Sequence, residues 1–389
     1  MQHTLATMFF ERTVVDADAP AVQFKEGKGA YQTMVWKDYG VMVKQLAFGL
    51  AYLGLQPKSC VAIFAPNSHL WVAADLATIS NGGISVPIYP TSSQSDIEFI
   101  LSNSETKIVF VYNEAMLKKV LALRAQLPEL KRLVLMRPLD SKTMSQIMAE
   151  HGLERERTEG MIVHFNEVLK AGANMQLEKP ELLDERMKQA RPEDVATIIY
   201  TSGTTGVPKG AEITHANLKA IVTDIQKVIP ITKQELYLSY LPLSHVFERV
   251  CGEVYWIHYG GICAFAESIE TMAKNLGETE PTMLLVVPRV LDRIYAKVKS
   301  GIDGASGRRR DLIQWALGVG KEYVHTVAEG KSPRPALLLK HWLSEKLVFQ
   351  KMRQKIAPRL RLIVSGGAPA TPSVLEFFNA IGVNTLEGW

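Results

Sequence analysis

Residues 200–210 read Tyr-Thr-Ser-Gly-Thr-Thr-Gly-Val-Pro-Lys-Gly. Three glycines, the hydroxyls of Thr201, Ser202, Thr204 and Thr205, and one cation, Lys209, share eleven positions. Glycine tolerates positive φ and lets a ligand approach the backbone, and successive N–H groups exposed this way form a concave anion site. Hydroxyls add neutral donors and the lysine adds a mobile charge, so the loop suits a polyphosphate. Its spacing is not that of the Walker A loop, where lysine directly follows the last glycine; here Val207 and Pro208 separate Gly206 from Lys209. A bare Ser-Gly-Thr-Thr-Gly could also be an ordinary surface turn, so the flanking elements matter.

Those elements are of the right kind. The run VATIIY (195–200) predicts a buried strand before the loop, and THANLKAIVTDIQKVI (214–229) predicts a helix after it with Thr214 as N-cap. Upstream, β-rich runs at 60–64, 84–88, 107–111 and 132–136 are separated by helical periodicity over 36–54 and 113–126. Strands alternating with helices predict a layered α/β fold with largely parallel sheets flanked by helices. Further strand runs at 235–243, 282–287 and 360–364 continue the pattern. Residues 138–194 are richer in charge and weaker in β signal. Within and just past them the run EKPELLDERMKQARPEDV (178–195) predicts an exposed connector, and a boundary near 190 gives subdomains 1–190 and 191–389.

At 389 residues and 47% hydrophobic, the chain can bury more than one core. A formal net charge of +4 gives no support to nucleic-acid binding, and no GxGxxG follows a predicted strand to support a dinucleotide. The first residues do not have the pattern of a signal peptide, and the longest greasy run, 46–55, is far short of a bilayer span. A cytoplasmic protein is expected. Cys60, Cys251 and Cys263 form no CxxC pair and predict reduced, mostly buried thiols.

The full string YTSGTTGVPKGAEITHANL closely resembles the phosphate-loop signature of the adenylate-forming, or AMP-binding, enzymes. Two more stretches narrow the likeness. YLPLSHVFERV (240–250) resembles the second signature of the long-chain fatty acyl-CoA synthetases, and SGGAPATPSVLEFF (365–378) resembles the adenine-side loop. LEGW (386–389) is similar to the start of the next motif, and looser similarity covers almost the whole chain. The resemblance implies the fold of the large N-terminal domain and an ATP-dependent ligase. Such an enzyme first joins a fatty carboxylate to AMP and then transfers the acyl group to coenzyme A, with Mg²⁺ on the triphosphate.

By the same resemblance Thr201, Ser202, Gly203, Thr204, Thr205, Gly206 and Lys209 hold the β- and γ-phosphates. Gly366, Gly367, Ala368 and Pro369 line the adenine, joined by Glu387, Gly388 and Trp389, whose indole can stack on the base. Lys209 and His245 carry the catalytic roles, with His245 near the acyl carboxylate; a buried histidine bonded to backbone is the competing reading. The resemblance places the Mg²⁺-ligating glutamate beyond residue 389, together with the ribose-binding aspartate and the small C-terminal domain. A chain of this extent is therefore expected to have little activity alone. An acyl-AMP ligase feeding an acyl carrier protein, and a non-catalytic shortened nucleotide- or acyl-binding protein, are the alternatives. Finally, residues 340–361 hold seven Lys or Arg against one Glu, interleaved with Trp342, Leu343, Leu347 and Phe349. They suggest either a peripheral contact at the inner membrane face or a solvated helix packing its apolar stripe inward.

Overall fold

The computed structural model describes residues 4–151, 160–201 and 207–388. Two compact units share the chain: Met1–Phe24 with Thr33–Ile231 and Pro242–Gly260, and Lys25–Gln32 with Thr232–Leu241 and Gly261–Trp389. The sequence reading divides the chain near 190 instead. The residues just past that point stay with the first unit because they complete its sheet.

Two short strands, β1 (Pro20–Phe24) and β2 (Gln32–Val35), come first in the chain. The first unit is built on β3 (Cys60–Phe64), β4 (Ile84–Ile88), β5 (Ile108–Val111), β6 (Arg132–Leu135), β7 (Ile162–His164), β8 (Val195–Thr201) and β9 (Lys209–Thr214). Their order is β7-β6-β5-β3-β4-β8-β9, parallel throughout except for the antiparallel β8–β9 pair. CVAIF and IVFV are buried along their whole lengths, as strands covered on both faces must be. Helix His69–Ser80 is buried at every position, so its sequence shows little polar face. Its Ser68 cap accepts the Trp71 N–H at 3.2 Å.

The run read as a connector forms the short helix Leu182–Gln189, of which only Leu183 is buried, while the charge-rich stretch 138–194 also holds β7 and the helix Phe165–Glu178, which packs tightly against Trp36–Tyr52. Two glycines allow this approach. A Cβ on Gly172 would lie 1.8 Å from the Gln45 carbonyl oxygen, and one on Gly49 would lie 2.3 Å from that of Val168. The helix Phe165–Glu178 buries Phe165, Val168 and Gly172 and leaves Glu167, Lys170 and Glu178 exposed.

The second unit contains five parallel strands in the order β14-β13-β12-β10-β11: β10 (Leu236–Ser239), β11 (Ile262–Phe265), β12 (Met283–Val286), β13 (Leu362–Gly366) and β14 (Asn384–Gly388). Residues 340–361 do not form one amphipathic helix. Helix Pro335–Ser344 passes into a π-helical turn, Glu345–Phe349, then a short helix to Gln354, and Val348, Phe349 and Met352 are buried. Leu338, Leu339, Trp342 and Leu347 remain outside. No helix among the described residues is long and apolar enough to cross a membrane. Cys60 and Cys263 are buried and all three cysteines are free thiols, as their spacing suggested.

Candidate functional site

In the first unit the polyphosphate-type loop joins two strands of a hairpin. Thr201 and Lys209 face each other in the last β8–β9 register pair, so Lys209 stands at the mouth of the loop. Residues 202–206, including Ser202, Gly203, Thr204, Thr205 and Gly206, lie outside the described residues. The sequence predicts a strand, the loop and then a helix, and β9 is the element it leaves out. Tyr200 fixes the loop entrance: its hydroxyl donates to Asn103 Oδ1 at 2.6 Å, and its ring meets Phe99 edge-on. Gly210, opposite Tyr200, is required there because a Cβ would lie 2.8 Å from Ile198 Cγ2 and 3.1 Å from the Tyr200 ring.

The helix after β9 begins as its cap predicts. Thr214 Oγ1 accepts the Asn217 N–H at 3.1 Å, while Asn217 Oδ1 accepts the Thr214 N–H at 3.1 Å. His215 follows, buried, with Nδ1 accepting the Leu5 N–H at 3.3 Å. Burial pushes its pKa down to about 4, so it stays a neutral acceptor that ties the helix Leu5–Val15 in place.

His245 lies on the turn Pro242–His245. Its N–H closes that turn onto the Pro242 carbonyl at 2.8 Å, and the Leu243 N–H donates to Asn67 Oδ1 at 3.0 Å. The Phe247 N–H donates to His245 Nδ1 at 3.1 Å, which leaves the ring proton on Nε2. Partial desolvation lowers the pKa of this ring. The residue is exposed and its ring bonds the backbone through Nδ1, so a neutral imidazole presents an N–H donor.

Directly behind that turn is a cluster that sequence reasoning missed. The π-helical segment Glu248–Val254 carries Arg249, which is fully buried. Its Nη2 donates to Asp75 Oδ1 at 2.6 Å, its Nη1 to Glu253 Oε2 at 3.3 Å, and its guanidinium lies 5.3 Å from the centre of the Trp71 ring. Burial first, and then the neighbouring Asp75, push the Glu253 carboxyl above the ordinary carboxylate range, against the opposing pull of Arg249. The Arg249 N–H also bonds the His245 carbonyl at 3.0 Å, which links the cluster to the histidine turn. The only signal for it was Glu-Arg inside an apolar motif, at 248 and 249.

In the second unit β13 ends in the Gly366–Pro369 turn. Gly367 has φ +84°, a conformation that side chains rarely adopt. Register pairs Ser365 with Glu387 and Gly366 with Gly388, so the end of β14 runs beside this turn. Glu387 Oε1 accepts the Ala370 N–H at 2.6 Å, a charge-assisted bond that clamps the loop from the next strand. Gly367, Ala368 and Pro369 are exposed, and Trp389 lies outside the described residues. Among the described residues no three His, Cys, Asp or Glu side chains converge as metal ligands.

The comparisons with known proteins agree with this picture. Residues 9–389 match the AMP-binding enzyme family, and the chain belongs to it. Among curated relatives, the long-chain-fatty-acid–CoA ligase ACSBG2 of Xenopus laevis is 30% identical over 392 residues, covering 99% of this chain and 50% of that protein. The peroxisomal long chain acyl-CoA synthetase 6 of Arabidopsis thaliana is 29% identical, covering 93% of this chain and 48% of its own length. The chain thus spans about half the length of the curated relatives it matches. Among solved structures, the A-PCP didomain of a carboxylic acid reductase from Segniliparus rugosus, in complex with AMP, superposes with a TM-score of 0.74 at 19% identity. That match covers 99% of this chain and 52% of the other. The N-terminal domain of FACL13 from Mycobacterium tuberculosis gives 0.61 at 16% identity, covering 100% and 76%. These likenesses establish an adenylate-forming N-terminal-domain fold.

Proposed function

We propose that this chain is the nucleotide- and acyl-binding part of a long-chain fatty acid–CoA ligase. The observation that carries the reading is the hairpin of Thr201 opposite Lys209, in a chain whose relatives at about 30% identity are long-chain acyl-CoA synthetases. A carboxylate is a poor electrophile, so activation precedes thioester formation. One carboxylate oxygen attacks the α-phosphorus of ATP, the bond to the bridging oxygen breaks, and pyrophosphate leaves with an acyl-adenylate remaining. The sulfur of coenzyme A then attacks the acyl carbon and AMP departs.

In this scheme the residues of the chain bind and orient. Lys209 and the loop 201–206 neutralise the β- and γ-phosphates, where one preorganised donor is worth roughly 3–4 kcal/mol of barrier. The neutral His245 donates from Nε2 to the acyl carboxylate and holds it in line. Gly366–Pro369, clamped by Glu387, bound the adenine together with Gly388, and Trp389 is assigned the stacking role that the family resemblance gives it. Magnesium, when bound with the triphosphate, supplies further charge neutralisation. Exposed Leu338, Leu339 and Trp342, beside Lys340 and Lys346, suit a peripheral contact with the inner, cytoplasmic face of an anionic membrane. Co-sedimentation with anionic vesicles tests that contact, and no loss of binding in Trp342→Ser would dismiss it.

The test of the reaction is ATP–pyrophosphate exchange by the native protein containing this chain. Exchange is expected to require magnesium, ATP and a long-chain fatty acid together. Exchange that proceeds equally well without fatty acid would overturn the reading.

A further inference from the structure

The second unit carries a large groove that no part of this mechanism uses. Its volume is about 680 Å³, within the range of small-molecule sites, and helices supply most of its lining. The helix Pro288–Asp303 shows why it exists. This element has sixteen residues, and only Leu291 is buried. Val290, Ile294, Val298 and Ile302 recur every fourth residue as an apolar ridge, and all four line the groove. Buried Met272, Leu276, Val348 and Met352 line it too, with exposed Leu312 and Leu347 nearer solvent.

The charges around it are one-sided. Arg293, Lys297, Arg309, Lys351 and Lys355 line the groove, against the single acid Glu270. Each of the five is exposed, and among the described residues none of them is in an ion pair. An amphipathic helix normally buries its ridge against protein; here the ridge faces an open trough bordered by unpaired cations. The chemical complement is one flexible hydrocarbon chain with an anionic head.

We infer that this groove binds a free single-chain anionic amphiphile, with the chain along the Val290–Ile302 ridge and the head among Lys351, Lys355 and Arg309. None of these residues is among those assigned to nucleotide or acyl activation, and the inference does not depend on the ligase reading.

The test is photolabelling of the full chain with a diazirine-bearing palmitate below its micelle threshold, followed by peptide mapping. Label is expected on peptides spanning 269–276, 290–302 and 347–356. Unlabelled palmitate should compete for it at least tenfold better than hexadecanol, which has the chain without the charge. Lys351→Glu combined with Lys355→Glu, two exposed changes, should reduce labelling of these peptides about tenfold with an unchanged melting temperature. Val298→Asp should abolish it. Label confined to other peptides, or equal competition by hexadecanol, would overturn the inference. Labelling that appears only when the probe is presented in phosphatidylglycerol vesicles would also overturn it, in favour of a bilayer-facing surface.

Discussion

Replacing Arg249 by methionine tests how the histidine turn is held. The guanidinium is fully buried, bonded to Asp75 at 2.6 Å and to Glu253 at 3.3 Å, and set over Trp71. Methionine keeps much of the volume but leaves two buried carboxyl groups without their cation. Breaking a buried pair from one side costs about 3–5 kcal/mol, so a loss near 4 kcal/mol is expected from urea unfolding at pH 7. Acid should shrink the deficit, because protonation removes the uncompensated buried charge that methionine strands. Arg249→Met with Asp75→Leu and Glu253→Leu removes all three groups and should recover most of the loss. Because the Arg249 N–H and the π-helical segment adjoin His245, the single variant should also lose exchange activity at temperatures where it remains folded. A loss below about 1 kcal/mol, or an equal loss in the triple variant, would refute the argument that the ion cluster holds this segment.

Three other changes probe separate links. Gly172→Ala must push apart the helices Trp36–Tyr52 and Phe165–Glu178, and a cost of at least about 3 kcal/mol by thermal or urea unfolding is expected. Acidification should destabilise the first unit through its buried histidines. His215 is held down to about 4 and His69 to about 3, both below the unfolded value of 6.5, so the unfolded chain binds more protons as pH falls. Their stabilisation is full above pH 6.5 and is lost progressively towards pH 4, by roughly 3 kcal/mol for His215. In His215→Gln, urea titrations should show a shallower decline over that window. Glu387→Ala removes the clamp on Ala370, a charge-assisted bond worth about 1.5–3 kcal/mol, and should weaken AMP binding by calorimetry about tenfold or more. Unchanged affinity would separate Glu387 from the nucleotide.

What the sequence made legible, and what it hid, follow from how far apart the interacting residues lie. The strand before the phosphate-type loop, the Thr214 cap and the turn after β13 were readable because each is specified within a few residues. β9 was not: KGAEIT is mostly exposed and shows no strand alternation, and it becomes a strand by pairing with β8. The helix Phe165–Glu178 was hidden by its outward charge, since its contact with Trp36–Tyr52 depends on two glycines 123 positions apart, Gly49 and Gly172. Arg249 lies 174 positions from Asp75, so their pairing is invisible along the chain. The Glu387 clamp likewise exists only through the β13–β14 register.

The central claim is that Lys209 and the loop beside it hold the phosphates of ATP while a fatty carboxylate attacks. Fatty-acid-dependent ATP–pyrophosphate exchange by the native protein, compared with its Lys209→Ala and Thr204→Ala variants, tests it most directly. Each variant should lose at least tenfold, a barrier increase of about 1.4 kcal/mol, while its melting temperature is unchanged. Exchange at the parent rate in both variants would contradict the account.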